Sequence, residues 1–239
     1  MKPSASIRDL VREVRSSLDD ATDAAYRVSI ARLVPGVKAR GVKVPVIRAL
    51  ASEFTKSHGS TDFDSACAML DEFCAGRWRE DILFGTFVVA RHRKFVPSLA
   101  WKRVLVWLDA VDNWETCDQL AMTLAAAVVA ASPSRVDDLV ALAKHANPWR
   151  RRFALATAAA LNQKGRSMPD ATLRVCEPLV SDTEPTVRKA LGWALREASE
   201  HDEARVFAFV QKHRAAMAKT VLREGSEKLS ETHRKALGL

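Results

Sequence analysis

Four segments of the chain resemble one another at nearly equal spacing, and this period constrains the fold more than any other feature. The segments begin at Trp78, Trp114, Trp149 and Thr186, so successive starts lie 35–37 residues apart. Each has the apolar periodicity of an amphipathic helix, and one further helix is predicted between neighbouring segments. The repeating unit is therefore a pair of helices, which must stack on its neighbours to bury its apolar face.

A helix pair of this length is typical of an α-solenoid, nearest in period to the HEAT and armadillo repeats. Abundant alanine and leucine, with one tyrosine and nine glycines, also favour helix over strand. Helices are predicted at 4–19, 22–34, 45–57, 62–75, 78–92, 97–108, 113–131, 133–145, 148–162, 168–181, 185–199, 202–214 and 217–237. The last of these contains Gly225, which is expected to divide it. We expect one all-α domain over residues 1–239, a HEAT-like superhelix whose inner helices line a concave binding surface.

Polar and aromatic residues of the repeats fall on one helical stripe. Positions 0, 3, 4 and 7 of a helix share a face. They hold Trp114, Asp118, Trp149, Arg152, Lys189 and Trp193. Taken singly, such a side chain is more often an amphipathic surface or packing residue, which is the interpretation for Trp78, Trp101 and Trp107. Taken together, a carboxylate, a guanidinium and indoles on one stripe indicate a binding site.

The charge of the chain favours a polyanionic partner. Its formal net charge is +8 and its isoelectric point is about 9.6. Basic residues cluster at Arg91, Arg93 and Lys94, at Arg150, Arg151 and Arg152, at Arg188 and Lys189, and at Lys212, Arg214 and Lys219. Two of these clusters lie on or beside the stripe, which is the distribution expected for a nucleic-acid-binding surface.

Several classes of protein are disfavoured by absent motifs. The four cysteines fall in predicted helices without a CxxC pair, which is typical of small buried hydrophobic residues in a reducing compartment. The histidines lack metal-ligand spacing, and no glycine-rich phosphate loop or GxSxG motif occurs. The N-terminus has no signal-peptide pattern, and no apolar run is long enough to span a membrane. We expect a monomeric cytoplasmic protein that uses no metal and no cofactor.

Three motifs resemble, in order, those of the DNA alkylation repair family, the AlkD type of HEAT-like DNA glycosylases. They are NWETCD at 113–118, NPWRRR at 147–152 and RKALGWALRE at 188–197. The segment GVKVPVIRALASEF at 41–54 is similar to the family's N-terminal signature, so the likeness covers nearly the full chain. The family's N-terminal aromatic residue is not matched, because Arg32 occupies that position and Tyr26 lies six residues earlier.

The resemblance implies an enzyme that holds duplex DNA on its concave face and removes N3- or N7-alkylated purines by hydrolysing the glycosidic bond. It implies a catalytic set and a DNA-binding set of residues. The catalytic set is Asp118, Trp114 and Trp193, and the DNA-binding set is Arg152, Trp149, Arg150, Arg151, Lys189 and Arg188. An alkylpurine cation leaves as a neutral base, so no general acid is needed and one carboxylate suffices. Asp118 would stabilise the sugar cation, indoles would attract the charge, and Arg152 would hold a phosphate.

Two other hypotheses remain open at the level of sequence. One is a HEAT-like protein that binds damaged or branched DNA without cutting it, since fold does not imply function. Such a binder has no need of Asp118 and its tryptophan neighbours, which this chain retains. The other is a scaffold for proteins, which should present an apolar or acidic stripe. The preferred lesion and the role of the first two helices are not predicted.

Overall fold

The computed structural model describes residues 6–59 and 61–239, and over these residues the protein is all-α. The helices are α1 Ile7–Asp20, α2 Ala24–Leu33, α3 Val44–Ser57, α4 Phe63–Gly76, α5 Arg79–Arg91, α6 Trp101–Leu108, α7 Trp114–Leu120, α8 Ala126–Ala131, α9 Val136–Ala143, α10 Pro148–Ala160, α11 Pro169–Cys176, α12 Pro185–Ser199, α13 Glu203–His213, α14 Lys219–Gly225 and α15 Glu231–Ala236. The all-α prediction is confirmed. Residues 4 and 5, where the first predicted helix begins, lie outside the described residues.

The helices form two compact units, Met1–Leu124 and Ala125–Leu239. In the first unit, α5 packs against α1, α3, α4 and α7. In the second unit, α10 packs against α12 and α12 against α14, while α9, α11 and α13 form a layer behind them. This alternation of layers is the packing expected for stacked helix pairs and is consistent with an α-solenoid. The prediction of a single domain over the whole chain stays a prediction.

Asparagine caps begin the two helices that carry the NWETCD and NPWRRR motifs. The side-chain oxygen of Asn113 accepts hydrogen bonds from the backbone N–H groups of Glu115 and Thr116, at 3.1 and 3.0 Å. Asn147 accepts from the N–H of Trp149 at 2.9 Å. Such caps satisfy donors that the first helical turn leaves without a partner. They fix Trp114 in the first turn of α7 and Trp149 in the first turn of α10.

The observed helices follow the predicted ones with local differences. Pro97 belongs to a short 3-10 turn, Val96–Ser98, so α6 begins at Trp101 and not at residue 97. The predicted helix at 113–131 contains a π-helical turn, Ala121–Ala125, between α7 and α8. The last predicted segment divides into α14 and α15, as expected from Gly225, which packs against Leu195 where a Cβ would be crowded at 3.0 Å.

The core is built from the residues that the apolar pattern selects. Trp101 and Trp107 are buried, so their interpretation as packing residues is confirmed. The indole N–H of Trp107 donates to Asp71 at 2.6 Å, which satisfies its one polar atom. All four cysteines are buried and free of disulfides. Burial raises the pKa of the Cys67 thiol to about 11 and that of Cys74 to about 12, and it also raises that of Cys176.

Candidate functional site

The first turn of α7 presents an aromatic ring beside a carboxylate. Trp114 is 39% exposed, which is unusual for so large an apolar side chain, and Asp118 one turn later is 9% exposed. Positions i and i+4 of a helix lie on one face. The indole and the carboxylate of the NWETCD motif therefore lie on the same face of α7.

Glu115, between these two residues, faces the interior. Its Oε2 accepts a hydrogen bond from Arg79 Nε at 2.5 Å, and its side chain is buried. Arg79 also donates from Nη1 to the carbonyl oxygen of Val42 at 3.0 Å and to Glu80 Oε1 at 2.9 Å. Because Glu115 is held inside this ion pair, it fixes the first turn of α7 to the first turn of α5.

The first turn of α5 is a buried ionic cluster that sequence reasoning missed. Arg79, Glu80 and Asp81 are all fully buried. Glu80 accepts from the backbone N–H groups of Arg40, Gly41 and Val42 at 2.9, 3.0 and 3.2 Å. Asp81 pairs with Arg15 at 2.9 Å and with Arg40. Burial raises the pKa of the Asp81 carboxyl, and the two arginines oppose that shift. The cluster ties residues 40–42 to α5.

Tyr26 and Arg32, whose roles the sequence does not predict, lie in different surroundings on α2. Tyr26 is half-buried on α2, and its hydroxyl oxygen accepts from Arg79 Nη2 at 3.4 Å. Arg32 is exposed on the same helix. Tyr26 thus extends the ionic cluster, while Arg32 faces solvent.

The arginines of the NPWRRR motif differ in their surroundings. Arg152 is 6% exposed, and its Nη1 donates to the carbonyl oxygen and the hydroxyl of Thr186 at 2.6 and 3.0 Å. Arg151 donates to Asp182 Oδ2 at 2.7 Å and to the carbonyl oxygen of Ala146 at 2.7 Å. Arg150 and Trp149 are half-buried in the first turn of α10. Arg152 therefore joins the first turns of α10 and α12, and Arg151 joins two loops.

The basic residues of α12 also have partners within the second unit. Arg188 Nε donates to the carbonyl oxygen of Asp182 at 2.6 Å. Lys189 is exposed, and its Nζ lies 3.0 Å from Glu224 Oε2 on α14. A phosphate that contacts either residue must compete with these interactions.

Trp193 lies half-buried on α12 with a fixed ring edge. Its Nε1 donates to Glu197 Oε1 at 3.1 Å, and Gln163 Nε2 donates to Glu197 Oε2 at 2.8 Å. Sequence reasoning passed over Glu197, although its position four residues after Trp193 is the spacing at which helical side chains meet. The hydrogen bond to Glu197 fixes the orientation of the Trp193 indole.

The predicted site residues thus form two groups. Trp114 and Asp118 belong to the first unit, whereas Trp149, Arg150, Arg151, Arg152, Arg188, Lys189 and Trp193 belong to the second. Within the second unit the structure brings Arg152 to the start of α12, the helix that carries Trp193. That both groups form one site stays a prediction.

Neither a metal-binding cluster nor a membrane-spanning helix is found among the described residues. No group of three or more His, Cys, Asp or Glu side chains among them is arranged to hold a metal ion. None of the helices that they form is both long and apolar enough to cross a bilayer.

Comparison with known proteins places the sequence in a family. Residues 14–229 match the family described as DNA alkylation repair enzyme. Among solved structures, the chain is similar to a protein described as a predicted DNA alkylation repair enzyme from Enterococcus faecalis. The TM-score is 0.71 at 18% identity, with 88% of this chain and 97% of that chain covered. At that identity the likeness shows a shared fold. None of the curated proteins matches the sequence.

Proposed function

The chain belongs to the DNA alkylation repair enzyme family, and from this premise we propose that it is a DNA glycosylase that excises cationic N3- or N7-alkylated purines from duplex DNA. The observation that carries the proposal is the exposed Trp114 one turn before Asp118 on α7. Each residue type has a role in breaking a glycosidic bond whose leaving group is already charged. We further propose that the protein acts as a cytoplasmic monomer within base excision repair.

The reaction needs stabilisation of a positive charge more than it needs acid catalysis. Cleavage moves the charge of the alkylated base onto the sugar, and the base departs neutral. The Asp118 carboxylate would stabilise that sugar cation and orient the attacking water. The faces of Trp114 and Trp193 attract cations through their ring quadrupoles. In this proposal these three residues are the catalytic set.

DNA would be held by basic side chains of the second unit. Arg152, with Trp149 and Arg150 in the same turn, would contact backbone phosphates and set the register of the duplex. Arg151, Arg152, Arg188 and Lys189 make contacts within the protein that a phosphate would have to replace. Binding through phosphates carries little sequence preference and weakens as salt rises.

The decisive experiment measures release of 7-methylguanine and 3-methyladenine from methylated duplex DNA, for wild type and Asp118→Asn, under single-turnover conditions. The substitution keeps the size of the side chain and removes its charge. Loss of electrostatic stabilisation of this kind costs about 3 kcal/mol, or roughly a hundredfold in rate. Binding should change little, because a carboxylate contributes nothing favourable towards phosphates.

Two results would overturn the proposal in different ways. A wild type that binds duplex DNA but releases no base supports the alternative, a HEAT-like binder of damaged or branched DNA. A wild type that releases base at the same rate as Asp118→Asn removes Asp118 from the catalytic set. Glu115 would not replace it readily, because its carboxylate is paired with the buried Arg79.

A further inference from the structure

The carboxylate of Glu197 lies at the N–H edge of the Trp193 indole, and both of its oxygens accept hydrogen bonds. One oxygen of Glu197 accepts from the indole N–H at 3.1 Å, and the other accepts from the Gln163 amide at 2.8 Å. The Glu197 side chain is only 16% exposed, which strengthens its interactions relative to those of a solvated ion. The negative charge is therefore held at a fixed place beside the ring.

The arginine next to Glu197 is shared with other carboxylates. Arg196 lies 3.4 Å from Glu197, 3.5 Å from Glu224 and 3.3 Å from Glu227, and Lys189 pairs with Glu224. Arg196 therefore does not belong to Glu197 alone. Gly192 allows the close approach of Glu224, because a Cβ at position 192 would lie 2.9 Å from Glu224 Cβ.

A carboxylate that accepts a hydrogen bond from the indole N–H also changes the electron distribution of the ring. Hydrogen bonds in sequence polarise one another, so a carboxylate at the N–H increases the electron density of the indole. Attraction of a cation to an aromatic face depends on that density. Because of Glu197, the face of Trp193 should attract a cation more strongly than the face of an indole whose N–H donates to water.

We propose that Glu197 determines specificity by acting through Trp193, so that the indole face favours a positively charged nucleotide over a neutral one. This inference rests on the proposed function and names a positioning residue for it. Glu197 touches neither base nor sugar in this account. It orients the ring and increases the ring's attraction for positive charge.

The test compares affinity for two duplexes that differ in charge at one nucleotide. One contains a tetrahydrofuran abasic analogue, which is neutral, and the other a pyrrolidine analogue, which is cationic. The wild type should prefer the pyrrolidine duplex. Glu197→Gln should lose about fivefold of that preference while its affinity for the tetrahydrofuran duplex stays the same, since a cation–π contact is worth about 1 kcal/mol. The amide oxygen of glutamine can still accept the indole N–H, so the fold should be kept.

Two controls separate the indole route from a general effect of charge. Glu200→Gln removes a carboxylate at the C-terminal end of α12 that pairs with Lys228 and has no contact with the indole, so it should leave the preference unchanged. In a Trp193→Phe background, which has no ring N–H, Glu197→Gln should have no further effect. If Glu197→Gln does not fold, Glu197→Asp keeps the charge but withdraws it from the indole, and it should lose most of the preference.

Three results would overturn the inference. They are a wild type without preference, an equal loss in Glu200→Gln, and a loss from Glu197→Gln that persists in the phenylalanine background. The affinity ratio does not depend on base release. A wild type that prefers the cationic duplex but releases no base would therefore defeat the glycosylase proposal alone.

Discussion

The first turns of α5 and α12 occupy equivalent places in the repeat but use their charged residues in opposite ways. Arg79, Glu80 and Asp81 of α5 are fully buried and satisfied by protein partners. On α12, Arg188 is half-buried and Lys189 is exposed. The period predicts a helix start at both places, but the surroundings decide whether a charge is fully buried among protein partners or stays partly exposed. Charged residues of α5 should therefore affect stability, and we expect those of α10 and α12 to affect DNA binding.

The largest expected effect is the loss of stability in Arg79→Gln. The substitution leaves Glu115 and Glu80 buried without their cation, and breaking a buried ion pair from one side costs about 3–5 kcal/mol. Urea unfolding should show this as a lower midpoint. Arg188→Gln is the matched control, because it removes one hydrogen bond to a carbonyl group and should cost about 1 kcal/mol. Equal losses in the two variants would contradict the contrast between α5 and α12.

A smaller effect, on binding, is expected for Arg150→Ala in the first turn of α10. If this guanidinium contacts a phosphate, affinity for any duplex sequence should fall about tenfold, and the salt dependence should decrease by roughly one released counterion. Stability should change far less than in Arg79→Gln. A binding titration at several salt concentrations measures both quantities. Lys235→Ala, on α15, serves as the control for net charge, and an equal loss there would show that Arg150 acts only through the overall charge.

The smallest effect concerns an ionic contact at the surface, between Glu203 and α15. Hydrogen bonds from Ser230, and then from His233, lower the pKa of Glu203 from 4.5 to about 2. A carboxyl group with a lowered folded-state pKa stabilises the protein above its unfolded-state pKa. That contribution is lost as pH falls from about 4.5 towards 2.

Thermal midpoints of wild type and Glu203→Gln between pH 6 and pH 2 test this contribution. The wild type should melt higher at pH 6, and its advantage should shrink as the pH falls below about 4.5. An advantage that stays constant down to pH 2 would show that the contact does not depend on ionised Glu203. Because the carboxyl group is exposed, the whole effect should be small beside that of Arg79.

Periodicity predicted most of the helices because most of them bury one apolar face, although α5 and α10 are buried along continuous runs of residues. It also indicated the division of the last segment at Gly225 and the burial of Trp101 and Trp107. It did not predict the π-helical turn Ala121–Ala125, because the sequence there contains no proline or glycine that would mark a change in the helix. Local sequence carried no signal for that extra residue per turn.

The buried ionic cluster of α5 and the contact between Trp193 and Glu197 were not predicted from sequence patterns. Glu80 is satisfied by backbone N–H groups about forty residues away, and backbone groups leave no trace in a motif. The Trp193–Glu197 contact was predictable in principle, since both residues are on one helix. It was passed over because a carboxylate one turn after a tryptophan usually faces solvent. The residue types of the candidate site were therefore predictable. Their partners depend on which loops the fold brings to them.

The thiols have a consequence for a protein that works where alkylating agents are present. Such agents are electrophiles, and a thiolate is among the strongest nucleophiles that a protein offers them. Cys67 and Cys74, with pKa values of about 11 and 12, remain protonated at neutral pH, and the still more buried Cys176 does so as well. All of them are also buried. These thiols thus present little chemical target to the alkylating compounds that damage DNA.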